Sequence, residues 1–107
     1  MSLDTKDFAA PVYQTGGFTS AGSAADVTET IGYSPSLVIA FIDIGGTNPN
    51  IVIKSAREAD ESMLITGSTG VITTPADTSG ISLSTRGFTV TAAAQVNSGV
   101  NAYIAFR

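Results

Sequence analysis

One stretch of the chain carries the residue types that hold a phosphate group and a divalent cation. It runs from Phe41 to Asn48 and reads Phe-Ile-Asp-Ile-Gly-Gly-Thr-Asn. Glycine amides approach a phosphate closely, a threonine hydroxyl donates to it, and an aspartate helps to hold the metal ion. The first chemistry that these residues suggest is therefore nucleotide binding.

This stretch resembles the first phosphate loop of sugar kinases in the actin-like ATPase superfamily. Those kinases are two-domain proteins much longer than 107 residues, and Pro49 stands where the returning strand of the loop has to continue. The sequence also contains no second phosphate loop. We therefore interpret Gly45-Gly46 as a hairpin turn and Asp43 as a solvent-facing residue at a strand end, and we predict no cofactor.

A second candidate is the acidic segment that contains Glu58, Asp60 and Glu61, with Asp77 as a further carboxylate. Carboxylate oxygens are the ligands that calcium prefers, but this spacing matches no EF-hand loop. Such a cluster is more often a solvated loop than an ion site. We therefore predict no metal site here.

Nucleophilic catalysis has little to work with, because the sequence contains no histidine and no cysteine. Ser-His and Cys-His pairs are excluded, and neither Lys6 nor Lys54 has a serine at the spacing of a Ser-Lys dyad. Paired carboxylates acting on a glycoside stay open on spacing alone. Three tyrosines, Tyr13, Tyr33 and Tyr103, are candidates for a carbohydrate platform. We predict that the protein is not an enzyme.

The composition describes one cysteine-free domain with few charges. Charged residues make up 13% of the 107 residues, against roughly 25% in typical soluble domains. A surface partly covered by neighbours explains this low charge, since interface cores are depleted in charge, and so does a surface built from Ser and Thr. The net charge of −4 and the lack of a Lys/Arg cluster argue against direct nucleic-acid binding.

Membrane insertion and secretion find no support in the hydropathy pattern. The longest apolar run, Leu37 to Ile42, is far shorter than the roughly 20 residues that cross a bilayer. The first residues lack the basic and apolar regions of a signal peptide. We expect no membrane partner and synthesis in the cytoplasm of the cell that makes the protein.

Seven to nine short strands, separated by turn residues, are predicted along the chain, without any sustained helical period. Residues 1–11 are expected to form an N-terminal arm, and residues 12–107 a single antiparallel β-sandwich of jelly-roll-like type. Gly16-Gly17 is expected to break the first strand, and the run from Leu37 to Ile42 to be buried on both faces. The stretch from Gly80 to Arg107 is expected to be central to the sheet.

Core positions follow from the alternation of side chains along a strand. We expect the core to be formed by the large apolar residues at alternate positions of the predicted strands, namely Leu37, Ile39, Phe41, Ile51, Ile53, Phe88, Val90, Ile104 and Phe106.

A series of short motifs carries a family resemblance over Thr15 to Arg107. In order they are Gly17-Phe18-Thr19, Val27-Thr28-Glu29-Thr30-Ile31-Gly32-Tyr33-Ser34-Pro35, Gly87-Phe88-Thr89-Val90, Val96-Asn97-Ser98-Gly99 and Tyr103-Ile104-Ala105-Phe106-Arg107. Their order resembles that of small β-rich structural proteins of tailed bacteriophages, which occur as capsid decoration (cement) proteins and as tail or fibre modules.

The resemblance implies a virion structural protein without catalytic residues. A decoration protein binds the outer capsid surface and stabilises the shell, so the implied partners are the major capsid protein and further copies of the chain in a homotrimer. The implied location is the capsid surface of the virion, after synthesis in the host cytoplasm. The alternative within the family is a tail or fibre module that binds carbohydrate at the host surface.

The arm is the expected contact with the capsid or with a neighbouring subunit, because an extended segment can add to the edge of another sheet. The contact residues that we predict there are Leu3, Asp4, Lys6, Phe8, Pro11 and Tyr13. The loops at 45–50 and 55–61 are the next candidates.

Overall fold

Two antiparallel β-sheets pack face to face in a computed structural model of the chain. The structure describes residues 12–19, 25–46, 48–95 and 99–107. Strands dominate these ranges, so the predicted all-β sandwich is confirmed. The predicted arm over residues 1–11 lies outside the described residues.

The larger sheet has six strands in the order β1, β9, β3, β4, β5, β6. Their bounds are β1 Tyr13–Thr19, β3 Leu37–Ile42, β4 Asn50–Ser55, β5 Met63–Ile65, β6 Ile72–Thr73 and β9 Val100–Phe106. The smaller sheet has the order β2, β8, β7, with β2 Val27–Thr30, β7 Ile81–Leu83 and β8 Gly87–Val90. The helices in the described ranges are single 3-10 turns, and none is long and apolar enough to cross a membrane.

Strand β9 lies between β1 and β3 and forms an antiparallel ladder with each of them. Contacts from the turn before β3 reinforce it, because the Tyr33 hydroxyl donates to the Ala105 carbonyl at 2.8 Å and the Ser36 N–H donates to the Phe106 carbonyl at 2.7 Å. The stretch that ends the sequence therefore occupies an interior position in the larger sheet, as the strand pattern predicts.

Strand β1 runs through Gly16-Gly17 without a break, so the prediction that these glycines end the strand is wrong. The cause is a side chain on the neighbouring strand. A Cβ atom placed on Gly16 would lie 2.6 Å from Cζ of Tyr103, its register partner in β9. Glycine is used here because the Tyr103 ring lies against the backbone, and the ladder continues on both sides of it.

The core lies between the two sheets. From the smaller sheet come Phe88 and Val90, both fully buried as predicted, and from the larger sheet comes Tyr103. The rings of Phe88 and Tyr103 meet edge to face, with centroids 4.9 Å apart and planes at 73°. This geometry is the one that aromatic quadrupoles favour. The remaining buried apolar side chains are Phe18, Ile31, Tyr33, Val38, Ala40, Ile42, Val52, Ile81, Ala94 and Ala105.

Seven of the expected core residues belong to the opposite face of the larger sheet, and the prediction is wrong for them. They are Leu37, Ile39, Phe41, Ile51, Ile53, Ile104 and Phe106, and they lie half-buried or exposed rather than in the core. Their strand neighbours Val38, Ala40, Ile42, Val52, Tyr103 and Ala105 face the smaller sheet instead. The run from Leu37 to Ile42 is accordingly buried on one face, not on two.

Lys54 determines which alternate residues of β4 face the core. Its side chain points into the sandwich and is 3% exposed. Its ammonium group lies 2.9 Å from Oδ1 of Asp77 and donates to the backbone carbonyls of Glu58 and Glu61. A lysine on β4 would normally be placed in solvent, with Ile51 and Ile53 inward. The buried ion pair reverses that assignment.

Replacement of Lys54 by methionine is expected to lower the free energy of unfolding by about 3 kcal/mol, because it removes the cationic partner of the Asp77 carboxylate and the donor to two carbonyls. Arg57→Ala, in the exposed loop that Lys54 supports, serves as the control and should change stability by no more than about 0.5 kcal/mol. Chemical denaturation measures both. Equal stabilities of Lys54→Met and the wild type would contradict the role of the pair.

Stability is also expected to fall at alkaline pH, because burial raises the pKa of both Tyr33 and Tyr103 above 10. Arg107 partly offsets the rise for Tyr33, whereas Glu29 adds to it for Tyr103. The folded chain holds these phenolic protons more tightly than the unfolded chain. The unfolding free energy should thus be unaffected well below pH 10 and then drop by up to about 1.4 kcal/mol per pH unit and tyrosine.

Denaturation midpoints between pH 8 and pH 11, together with tyrosinate absorbance, measure this effect. Tyr33→Phe should reduce the alkaline loss by one tyrosine's share. A stability that stays constant up to pH 11 would count against the raised pKa values.

Candidate interaction surface

The side of the larger sheet that faces away from the core is apolar, and we call it the outer face. It consists of the alternate side chains of six strands, which point away from the smaller sheet. Its members are Tyr13, Thr15, Gly17, Thr19, Leu37, Ile39, Phe41, Ile51, Ile53, Ser55, Met63, Ile65, Ile72, Val100, Ala102, Ile104 and Phe106.

Strand register assembles these side chains into continuous rows. One row crosses four strands through Phe41, Ile51, Ile65 and Ile72, which are successive register partners. A parallel row contains Ile104, Ile39, Ile53 and Met63. Cross-strand neighbours on one face lie within about 5.5 Å of each other, so each row is an unbroken apolar ridge.

A third row runs parallel to the first two and crosses β3, β9 and β1 through the register partners Leu37, Phe106 and Tyr13. The rings of Tyr13 and Phe106 are in contact, with centroids 6.3 Å apart. Tyr13 is nevertheless 52% exposed. The Tyr13 ring therefore packs against Phe106 on one side and is open to solvent on the other.

Solvent reaches much of this apolar surface. Phe41 is 37% exposed and Met63 41%, and the even more exposed Ile72 and Val100 lie on the same face. In the described strands, no outer-face position holds a charged residue, and the polar groups there are the hydroxyls of Tyr13, Thr15, Thr19 and Ser55. Isolated exposed apolar residues are common, but contiguous exposed apolar patches are typical of binding surfaces, so the outer face is the candidate interaction surface.

The smaller sheet provides the internal comparison. Its outward side chains on β2, β7 and β8 are those of Thr28, Thr30, Ser82 and Thr89, beside Gly87, and the hydroxyls of Thr28 and Thr89 lie 2.9 Å apart. That side of the protein has a surface of Ser and Thr hydroxyls, which is one of the two explanations of the low charge content. The outer face of the larger sheet matches the other explanation, a surface that a neighbour covers.

The outer face is large enough for a specific contact. Six strands about 4.8 Å apart and averaging about five residues give a projected area of about 500 Å². An identical area on a partner brings the total to about 1,000 Å², the lower limit of specific protein interfaces. Association through the outer face would remove this apolar surface from water.

Of the predicted contact residues, Tyr13 belongs to this surface. The others, Leu3, Asp4, Lys6, Phe8 and Pro11, lie outside the described residues. The structure thus brings one predicted contact residue to the outer face and adds the many strand residues that were assigned to the core.

The loop that resembles a phosphate-binding turn joins β3 to β4, as the hairpin interpretation predicts. Asp43 adopts a left-handed backbone conformation with φ of 59°, and its N–H donates to Oδ1 of buried Asn101 at 2.7 Å. Its carboxylate occupies the space where Gly46 and Gly99 lack a Cβ atom. Asp43 is therefore half-buried against the loop backbone rather than solvent-facing, and it acts as a turn-forming residue.

The acidic segment and two of the three tyrosines lie apart from the outer face. Asp77 is paired with Lys54, and no cluster of three or more acidic side chains with metal-ligand geometry occurs in the described ranges. Tyr33 and Tyr103 are buried, so Tyr13 alone of the three presents an exposed ring. The three tyrosines do not form a common platform.

Sequence reasoning missed the outer face because it assigned the larger side chains to the core. The available signal was the apolar character of both phases of β3, where Leu37, Ile39 and Phe41 alternate with Val38, Ala40 and Ile42. A strand that is apolar on both sides needs cover on both sides. With one sheet to supply one side, a second surface has to supply the other.

Comparison with known proteins identifies no relative: no family model, no curated protein and no solved structure matches this chain.

Neighbouring residues on β3 should respond differently to the same substitution. Ile42→Thr places a hydroxyl in the core, where Ile42 is 1% exposed, and should cost about 3 kcal/mol of stability. Phe41→Thr changes the outer face and should cost less than about 1 kcal/mol. Denaturation of the isolated proteins measures both, and a greater loss for Phe41→Thr would contradict the face assignment.

Proposed function

We propose that this chain is a non-enzymatic structural protein of a virion, which decorates the outer surface of the capsid and stabilises the shell. The observation that carries the proposal is the uncharged apolar outer face, since a protein that acts by lying against another protein needs such a surface. The motif order from Thr15 to Arg107 supplies the choice of a virion. The proposed partner is the major capsid protein.

The energetics suit a protein that binds in many copies. Burial of about 500 Å² of apolar surface on this chain contributes about 12 kcal/mol before costs. The loss of translational and rotational freedom on association consumes roughly 4–15 kcal/mol. One copy alone is therefore held weakly, and copies that also contact each other on a capsid lattice gain from their high local concentration.

Decoration in this scheme is shell stabilisation by bridging. A chain whose outer face spans two neighbouring capsid subunits opposes their separation, because separation exposes apolar surface to water. The predicted arm adds a second contact by strand addition. The homotrimer implied by the family resemblance stays a prediction, and the described residues contain no feature that selects three-fold association.

Capsid add-back tests the proposal with a charge introduced on either side of the sandwich. Met63→Lys puts an ammonium group on the outer face with little change in length, and it should weaken rebinding to stripped capsids at least tenfold because the charge is buried in the contact. Thr30→Lys puts the same group on the outward side of the smaller sheet and should bind like the wild type. Co-sedimentation and capsid heat resistance are the two readouts.

Two results would overturn the proposal. Wild-type protein that does not bind capsids removes decoration as the function. Met63→Lys protein that binds and protects capsids like the wild type removes the outer face as the contact.

A further inference from the structure

Strand β1 forms an open edge of the larger sheet in the described part of the chain. The Arg107 N–H donates to the Val12 carbonyl at 2.9 Å, which makes these two a hydrogen-bonded pair of the β1–β9 ladder. Hydrogen-bonded and non-bonded pairs alternate in an antiparallel ladder, so Gln14, Gly16 and Phe18 also direct their backbone groups to β9.

The intervening residues direct their backbone groups to the opposite side. The N–H and C=O groups of Tyr13, Thr15, Gly17 and Thr19 therefore point away from β9, and all four residues are exposed. The Phe106 carbonyl accepts from Ser36 on the β3 side of β9, which agrees with this phase. The edge thus presents a regular series of donors and acceptors to a further strand.

Protective features that natural edge strands use are missing from β1. Edges are usually kept short, charged, proline-bearing or bulged. Strand β1 is seven residues long, contains no charged residue and no proline, and keeps an unbroken register with β9. The other described edge strands are shorter: β2 has four residues, β7 three and β6 two.

We propose that β1 pairs antiparallel with β1 of a second copy across a two-fold axis at Gly16. This register places Tyr13 opposite Thr19 of the other copy and Thr15 opposite Gly17. The four residues of each β1 strand whose backbone groups point away from β9 then lie in hydrogen-bonded pairs, which gives about eight backbone hydrogen bonds. The occupant of the edge is a second copy of this chain because the edge is self-complementary at equal length.

Electrostatics permit the self-pairing despite the net charge of −4. Like charges opposed across a two-fold axis are destabilising, and β1 brings none to the contact. The axis runs perpendicular to the sheet, so both outer faces lie on the same side of the joined sheet. The pairing doubles the apolar surface that one assembly unit presents.

This inference deepens the proposed function, since a doubled outer face strengthens the contact with a capsid, but the two-fold pair itself forms without capsids. It also differs from the homotrimer implied by the family resemblance. The molecular mass of the isolated protein in solution therefore tests the pairing, and capsid binding tests the proposed function.

Engineered disulfides test the register, because the chain has no cysteine of its own. Equimolar Tyr13→Cys and Thr19→Cys proteins, mixed under mild oxidation, should form a disulfide-linked heterodimer, since hydrogen-bonded partners have Cα atoms about 5.5 Å apart. Each variant oxidised alone should yield far less linked dimer. Two copies of position 13, or of position 19, lie about 20 Å apart in this register, and a bond within one chain is impossible because each variant has a single cysteine.

A proline tests the hydrogen bonds. Thr15→Pro removes a donor that points away from β9, so the fold should be retained while the dissociation constant of the dimer rises at least tenfold. Thr15→Val, which keeps the N–H, is the matched control and should dimerise like the wild type. Sedimentation equilibrium measures association, and circular dichroism checks the fold.

The outcomes are separable from those of the capsid test. Dimeric wild type, a linked heterodimer and a dissociated Thr15→Pro variant support the pairing. Monomeric or trimeric wild type, or a mixture without cross-links, overturns it and leaves capsid binding through the outer face unaffected. Met63→Lys should stay dimeric even where it fails to bind capsids, because Met63 lies on β5, four strands away from the edge.

Discussion

The buried contact between Lys54 and Asp77 is the constraint on which the two sides of the larger sheet depend. Lys54 enters the sandwich because its ammonium group finds a carboxylate and two carbonyl oxygens there. A buried ammonium without such partners would be too costly to keep. Once Lys54 points inward, the period of two in a strand turns Ile51 and Ile53 outward, and strand pairing carries that phase to β3 and β9.

This constraint explains which parts of the structure could be predicted from the sequence. Turn residues and short apolar runs predict most strands, the β3–β4 hairpin and the sandwich class, because those signals are local. The phase of β4 depends on Asp77 in a separate turn, 23 positions further along the chain. A local pattern contains no information on that partner, so it predicts Ile51 and Ile53 in the core.

The glycines show the same limit. Gly16 resembles a strand breaker in sequence, yet it continues β1 because the Tyr103 ring needs the space beside it. Gly46, in the loop that resembles a phosphate site, makes room for the Asp43 carboxylate in the same way. Both glycines have a packing role that the residue type alone does not reveal: the partner of Gly16 is 87 positions away in sequence, and the partner of Gly46 is Asp43 in the same loop. The candidate site was missed for a related reason, because apolar strand residues are assigned to a core by default.

The larger sheet is apolar on both sides, and apolar surface is stable when it is covered. The inner side is covered by β2, β7 and β8, and the outer face has no equivalent cover among the described residues. Charges on the outer face would disfavour association, and the outer-face positions of these strands hold none, although charged residues occur in the turns beside them. Ordinary solubility therefore does not explain the distribution of charge in this fold. The proposed association explains it, because an uncharged apolar face and a strand edge that is open in the described part of the chain are both stabilised when other protein surfaces cover them.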